Sequence, residues 1–298
     1  MLKCLFEGCG VAIVTPFKNN QIDYASFYKI INSCIKNGAK AIVVLGTTGE
    51  GVSVVGQERE DVISFAKKVI DKRAKLIVGT GNNNFITCQE NTIQAKKLGA
   101  DGVLVVTPYY NKTTQNGLVE YYTQLSKIGV PIIIYNVPSR TGLNIEIETV
   151  KKLLDNKMIY GIKESSNDIN RIIKLHEICV NKIAVYSGED ALNYVFYCLG
   201  AQGCISVTAN VVADKVQKVY DLVQKKEIGK ALETQNSMSE INNAMFVETN
   251  PIPVKTLMSE LDMIQKDVRM PLVPAEEKTK SLIIKLAEKL KQEKEFVV

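Results

Sequence analysis

Short apolar runs recur along the chain, each followed by a segment whose apolar residues return at helical spacing. The runs are GVAIVTPF (10–17), AIVVLGT (41–47), KLIVGTG (75–81), GVLVVTP (102–108), PIIIYNV (131–137), IYGIKES (159–165), KIAVYSG (182–188) and GCISVTA (203–209). They are nearly continuous in Val and Ile, the pattern of strands buried on both faces in a parallel sheet. In the intervening QEREDVISFAKKVI, Val62, Phe65, Ala66, Val69 and Ile70 fall on one helical face. Eight such units predict an α/β fold closed into a (β/α)8 TIM barrel. An open doubly wound sheet would carry a phosphate fingerprint, but Gly79-Thr80-Gly81 leads into Asn82, Asn83 and Asn84 with no third glycine. No P-loop occurs. From about residue 226 the pattern turns to helices alone, with Pro251 and Pro274 placed where helices start. The expected division is therefore a barrel carrying the catalytic site, residues 1–225, and a C-terminal helical extension, 226–298.

Composition narrows the chemistry. A hydrophobic share of 46% with 23% charged residues is that of an ordinary globular protein. The net charge of +5 is mild, and the lysines near the C-terminus (Lys285, Lys289, Lys291, Lys294) read as a solvated face, so no nucleic-acid partner is expected. Seven scattered cysteines without a CxxC pair suit free thiols in a reducing cytoplasm. The opening MLKCLFEGCGVAIVTP breaks its apolar run at Glu7 and lacks a cleavage site, and no apolar run has bilayer length. No membrane partner is expected. The chain has a single histidine, His176, whereas catalytic zinc usually takes two or three imidazoles, so no metal is expected. His176 lies in NRIIKLHEICV, where Ile172, Ile173, Leu175 and Ile178 form an apolar stripe, and it reads as a helix-surface residue. Acid–base work then falls to Tyr, Lys, Glu or Asp.

Barrel enzymes build their sites at the C-terminal ends of the strands. Those ends read Gly46-Thr47-Thr48-Gly49-Glu50-Gly51, Thr107-Pro108-Tyr109-Tyr110-Asn111, Tyr135 through Gly142, Lys163-Glu164-Ser165, Ser187-Gly188-Glu189 and Ile205-Ser206. Lys163 interrupts an apolar strand at a depth where a charge needs a reason. Alternation puts Gly161, Lys163 and Ser165 on one face, with Gly161 leaving room beside the lysine and Glu164 pointing away. Desolvation there would favour the neutral amine that nucleophilic attack requires. The residues alone also allow Lys163 to be the partner of a buried carboxylate such as Glu189. Tyr135 could be a core aromatic, but Tyr110 and the Thr47-Thr48 pair supply hydroxyls that can pass a proton without a histidine. The glycine-flanked threonines also offer backbone N–H groups to a carboxylate. Arg140, in a loop after Pro138, is either a surface arginine or a two-pronged clamp for a second carboxylate.

The segments GTTGE, TPYYNK, YNVPSRTG, GIKES, YSGED and NPIPVK stand in the order and spacing of the dihydrodipicolinate synthases, which the chain resembles over essentially its whole length. The resemblance implies a pyruvate-dependent class I lyase that condenses pyruvate with aspartate semialdehyde on the way to diaminopimelate and lysine. It implies an imine of pyruvate on Lys163, with no other cofactor. Tyr135 would be the proton shuttle, relayed through Thr48 and through Tyr110 reaching in from a neighbouring subunit. Thr47 and Thr48 would hold the pyruvate carboxylate and Arg140 that of the aldehyde, with the backbones of Gly188 and Ile205 lining the pocket. A homotetramer, a dimer of tight dimers, is implied as well.

The alternative is a related aldolase acting on a keto-deoxy sugar acid or N-acetylneuraminate by the same lysine chemistry. Neuraminate lyases resemble the chain at the lysine, but usually carry Ser-Thr in place of Thr47-Thr48 and lack the Ser139-Arg140-Thr141-Gly142 stretch. Lysine-inhibited members of the family hold the amino acid at a subunit interface, with histidines after GTTGE and a glutamate at the start of the helix after the third strand. This chain has Gly56 and Arg59 in the first segment and Thr87 in the second, while Asn83 and Tyr109 remain. Insensitivity to lysine is therefore expected.

Overall fold

The computed structural model describes residues 2–293 and 296, so Lys294 and the last two residues of the expected extension lie outside the described residues. Eight parallel strands close into a barrel: β1 (Gly8–Ala12), β2 (Ala41–Val44), β3 (Lys75–Gly79), β4 (Gly102–Val106), β5 (Ile132–Asn136), β6 (Ile159–Glu164), β7 (Ala184–Ser187) and β8 (Gly203–Ser206). Each pairs with its neighbours in sequence. Closure comes from β1, which pairs with β2 through Gly10 opposite Ala41 and with β8 through Gly10 opposite Ile205.

The apolar runs are continuous because both strand faces are buried, each in its own core. Outward side chains such as Ile42, Val78, Val103, Ile134, Ile162 and Val185 join the surrounding helices in the larger one. Inward side chains, among them Val43, Ile77, Leu104, Ile133, Tyr186 and Ile205, fill the barrel itself. Phe6 closes the interior from below, stacked on Tyr186 with ring centroids 4.5 Å apart, and the Tyr186 hydroxyl donates to the Phe6 carbonyl at 3.0 Å. Gly161 makes room for that tyrosine and not, as the sequence reading had it, for Lys163. A Cβ at Gly161 would stand 2.8 Å from the Tyr186 ring.

The helices on the barrel are α1 (Tyr24–Lys36), α2 (Gly56–Ile70), α3 (Phe85–Lys97), α4 (Gln115–Ser126), α5 (Pro138–Thr141), α6 (Ile147–Leu153), α7 (Ile169–Cys179), α8 (Asn193–Cys198) and α9 (Ala209–Gln224). Several begin where a side chain caps the free N–H groups: Asp23 on Ser26, Asn84 on Ile86 and Thr87, Asp168 on Arg171. In α2, Val62, Ala66, Val69 and Ile70 are buried as the periodicity predicts. The expected strand 10–17 stops early: it ends at Ala12, the Val14 N–H turns to the Asn210 side-chain oxygen at 3.0 Å, and Phe17–Lys18 pairs antiparallel with Gln21–Ile22. His176 is a further correction. It is half-buried in α7 rather than on its surface, its ring edge-on to Phe196 at 5.9 Å, while Ile173 of the predicted stripe is exposed.

Beyond Gln224 the described residues carry α10 (Ile228–Ser237), α11 (Ser239–Ala244), α12 (Ile252–Glu260) and α13 (Glu277–Glu293), with residues 261–276 non-helical between the last two. In α12 every residue from Ile252 to Met258 is buried. One of them is Lys255, with no exposure at all, whose ammonium reaches Glu50 in the turn after β2 at 2.5 Å and the Asp267 carbonyl at 2.8 Å. Lys255 Nζ and the Arg269 guanidinium each lie over the Phe17 ring, 4.2 Å from its centroid. Buried charges need such partners. Among the described residues no helix is long and apolar enough to cross a membrane.

Candidate active site

The turn after β2 folds tightly on itself. Glu50 N–H donates to the Thr47 carbonyl and Gly51 N–H to the Gly46 carbonyl, both at 3.1 Å, and Leu45 and Glu50 take positive φ. Glycine is required at position 51, where a Cβ would collide with the Leu45 carbonyl. The turn leaves Thr47 exposed toward the barrel mouth and Thr48 buried. Among the described residues, the backbone N–H groups of these threonines take no protein acceptor, as a carboxylate cradle requires.

Across the mouth, Tyr135 of β5 and Lys163 of β6 are register partners on adjacent strands, so their side chains leave the same face together. Lys163 is 5% exposed, and its Nζ lies 4.4 Å from the centroid of the Tyr135 ring. Room for it comes from Gly188, where a Cβ would stand 2.8 Å from Lys163 Cε. Glu164, on the other face, is buried among the helices. Its carboxylate accepts from Arg171 Nε at 3.1 Å and Nη2 at 2.9 Å, and from Asn136 Nδ2 at 2.9 Å. This network fixes the end of β6 on which Lys163 stands.

Among the described residues Lys163 makes no ion pair, so the carboxylate-partner alternative is not realised, although it feels Glu189 nearby. Burial lifts the Glu189 carboxyl above the usual carboxylate range; Asp190 adds to the rise, and Lys163 opposes it.

A cleft of about 420 Å³ runs over these groups, lined by Thr47, Thr48, Tyr135, Arg140, Lys163, Ser165 and Gly188, and on the extension side by Phe246, Glu248 and Asn250. Arg140 sits on one turn of helix, α5, and not on an open loop; its Nη2 donates to the Asn250 carbonyl at 3.1 Å. Ile205 does not line this cleft. Its side chain is buried inside the barrel, where the strand's alternation directs it. Tyr110 also stays out of the cleft: it is 93% exposed, at positive φ.

An adjoining cleft of about 660 Å³ shares Thr47, Tyr135, Arg140 and Asn250 with the first and extends to Gly56, Arg59, Asn82, Thr87 and Tyr109. Asn83 is not on its wall. Among the described residues, no group of His, Cys, Asp and Glu side chains is assembled to hold a metal ion.

Sequence reasoning missed Asn250, buried where the extension meets the mouth. Its only sequence signal is its place in NPIPVK. Ser165, read only as a strand-end residue, also faces the cleft and donates to the Gly188 carbonyl at 3.1 Å.

Residues 5–292 match the Dihydrodipicolinate synthetase family. The 4-hydroxy-tetrahydrodipicolinate synthase of Fervidobacterium nodosum is 42% identical over 288 residues, 96% of this chain and 99% of that protein. Among solved structures, dihydrodipicolinate synthase from Thermotoga maritima superimposes with a TM-score of 0.93 at 39% identity, covering 97% of this chain and 98% of that one. A variant described as the first monomeric dihydrodipicolinate synthase superimposes with a TM-score of 0.94 at 39% identity, over 98% of both chains.

Proposed function

The chain belongs to the Dihydrodipicolinate synthetase family, and from that premise we propose that it condenses pyruvate with L-aspartate 4-semialdehyde to give 4-hydroxy-tetrahydrodipicolinate. It is a lyase of the class I aldolase type, acting at the first committed step of lysine and diaminopimelate synthesis. The observation that carries this reading is a buried, ion-pair-free lysine beside a tyrosine, opening on a cleft with an arginine at its rim.

In this reading the neutral Lys163 amine adds to the keto carbon of pyruvate, and the carbinolamine loses water to leave an imine. Loss of a methyl proton gives an enamine, whose carbon attacks the aldehyde carbon; the resulting alkoxide takes a proton. The second substrate's amino group then displaces Lys163 and closes the ring. Protons move through Tyr135 and Thr48 and through a neighbouring copy's Tyr110, since this chain's own Tyr110 points outward. Thr47 and Thr48 hold the pyruvate carboxylate, Arg140 holds that of the aldehyde, and the Gly188 backbone completes the wall. The covalent imine is the only cofactor this chemistry calls for.

Residues 1–225 are read as the barrel with the catalytic groups and 226–298 as a C-terminal helical extension. The working unit is a homotetramer in the cytoplasm, where the seven free thiols are at home.

Borohydride added with pyruvate should leave one reduced pyruvyl group on Lys163, seen by intact mass and peptide mapping. An adduct on another lysine, or none, overturns the assignment. A coupled assay with aspartate semialdehyde against sugar keto acids tests the substrate.

A further inference from the structure

We propose that the larger cleft is a binding site for a small carboxylate with an apolar body, and that Arg59 holds its charge. The inference goes beyond the reaction at Lys163 and does not depend on it. Arg59 is 6% exposed and stands on the wall of this cleft, where its Nη2 donates to the Gly79 carbonyl at 2.6 Å. A guanidinium carries five N–H donors. Nε is buried without a partner, and among the described residues Nη1 has none either. One carbonyl needs a donor and not a charge, so this bond does not account for a buried cation.

The surroundings leave that charge unbalanced. Among the described residues Arg59 makes no ion pair, and the titratable group it feels is the Cys88 thiol, which burial pushes up and keeps neutral. Glu58, its neighbour in the chain, is taken by both Nη atoms of Arg269. Glu50 is the single carboxylate on the wall, and it is held by Lys255 and by the Arg269 N–H. Arg140 lies on the same wall, also without an ion pair among the described residues. α2 begins without a side-chain cap, so the positive end of its dipole adds to the potential in the turn that carries Arg59. Each of these features favours an anion, and the chain itself supplies none.

The rest of the wall describes the body of the ligand. Val54, Leu104, Val106, Val137 and Leu272 give it apolar surface, while Asn82, Thr87 and Asn91 offer donors to carboxylate oxygens. A volume of about 660 Å³ suits an organic molecule rather than a bare ion. The site also borders Thr47 and Tyr135, which the catalytic cleft shares.

The test is calorimetric titration of the full-length protein with sodium benzoate at constant ionic strength, with benzamide as the uncharged counterpart. Benzoate should bind wild type with a Kd below roughly 10 mM, and benzamide at least about tenfold more weakly. Arg59→Gln keeps a donor for the Gly79 carbonyl but removes the charge, and should weaken benzoate by about 10- to 100-fold. Thr87→Glu puts a carboxylate on the same wall, in the first turn of α3 where a helix tolerates it, and should weaken benzoate at least about tenfold. No binding to wild type, or equal binding of benzamide, overturns the proposal. So does benzoate binding that Arg59→Gln leaves unchanged and Arg140→Gln abolishes, because the carboxylate then sits in the catalytic cleft. If Arg59→Gln does not fold, Thr87→Glu decides alone, and undiminished binding to it overturns the proposal. None of these readouts uses turnover, so an inactive enzyme in the coupled assay refutes the assigned reaction and leaves this site standing.

Discussion

At the scale of single residues, a side chain was legible when its own strand made it anomalous. Lys163 stands out because a cation interrupts Ile159-Tyr160-Gly161-Ile162, and the same alternation sends Glu164 outward to Arg171. Asn250 carries no such local contradiction; its meaning arises on contact with Thr48, 202 positions away, which no pattern in the chain records. His176 was misjudged for a related reason. The helix periodicity puts it at the edge of the buried face, but only the fold shows Phe196 packed against it. Burial pushes its imidazole down to about 4 from an ordinary value of 6.5. Between those values the unfolded chain holds a proton on this group and the folded chain does not, so stability from this source is complete above about pH 6.5 and lost as pH falls toward 4. The effect is at most about 3 kcal/mol. His176→Gln should remove it, and denaturant titrations from pH 7 to pH 4.5 should show wild type losing stability faster than the variant. Parallel curves would mean the ring is protonated at no cost in the folded protein.

Elements were the most legible level. Two-sided burial of each barrel strand follows from its continuous Val and Ile, and the helical stripe of α2 from its spacing. Where the reading overruns, at 13–17, the chain leaves the sheet after Ala12, its Val14 N–H taken by the distant Asn210 side chain, which the apolar run does not record. Element starts also bear on regulation. Gly56 opens α2, Arg59 lies in its first turn and Thr87 in the first turn of α3, and all three line the larger cleft. Arg59 is buried with Nη2 on the Gly79 carbonyl at 2.6 Å, and burial lowers its guanidinium to about 10, which leaves it charged at neutral pH. Among the described residues Glu50 is the single carboxylate on that wall, and Lys255 already neutralises it. A ligand with two ammonium groups meets a fixed cation there and no available anion. Initial rates should therefore be unchanged by millimolar lysine; clear inhibition would show that other residues have rebuilt a lysine site.

For the whole molecule, closure of the barrel was readable from eight repeated units, because a sheet buried on both faces and paired in sequence order has to end on itself or leave an edge. What lies beyond one chain was readable only through the family resemblance. The structure adds a physical constraint. Tyr110 points away from its own cleft, and Val52, Val55 and Ile86 are also exposed. A second exposed apolar set, Ile169, Ile173 and Val180, belongs to α7 and the residue after it, as an assembly with two kinds of interface needs. If Tyr110 serves the neighbour's Lys163, damage to the two residues must complement when placed on different subunits. Tyr110→Phe and Lys163→Ala should each be nearly inactive alone. Mixed, dissociated and reassembled at equal amounts, half of the dimers are hybrids, and each hybrid has one site with an intact lysine facing an intact tyrosine. The other site lacks both. Specific activity should then rise to about a quarter of wild type, the proportion set by random pairing across a two-fold axis. Recovery should follow reassembly and be absent when the two variants are mixed without dissociation. If Tyr110 acted within its own chain, no hybrid could contain a complete site and the mixture would stay dead.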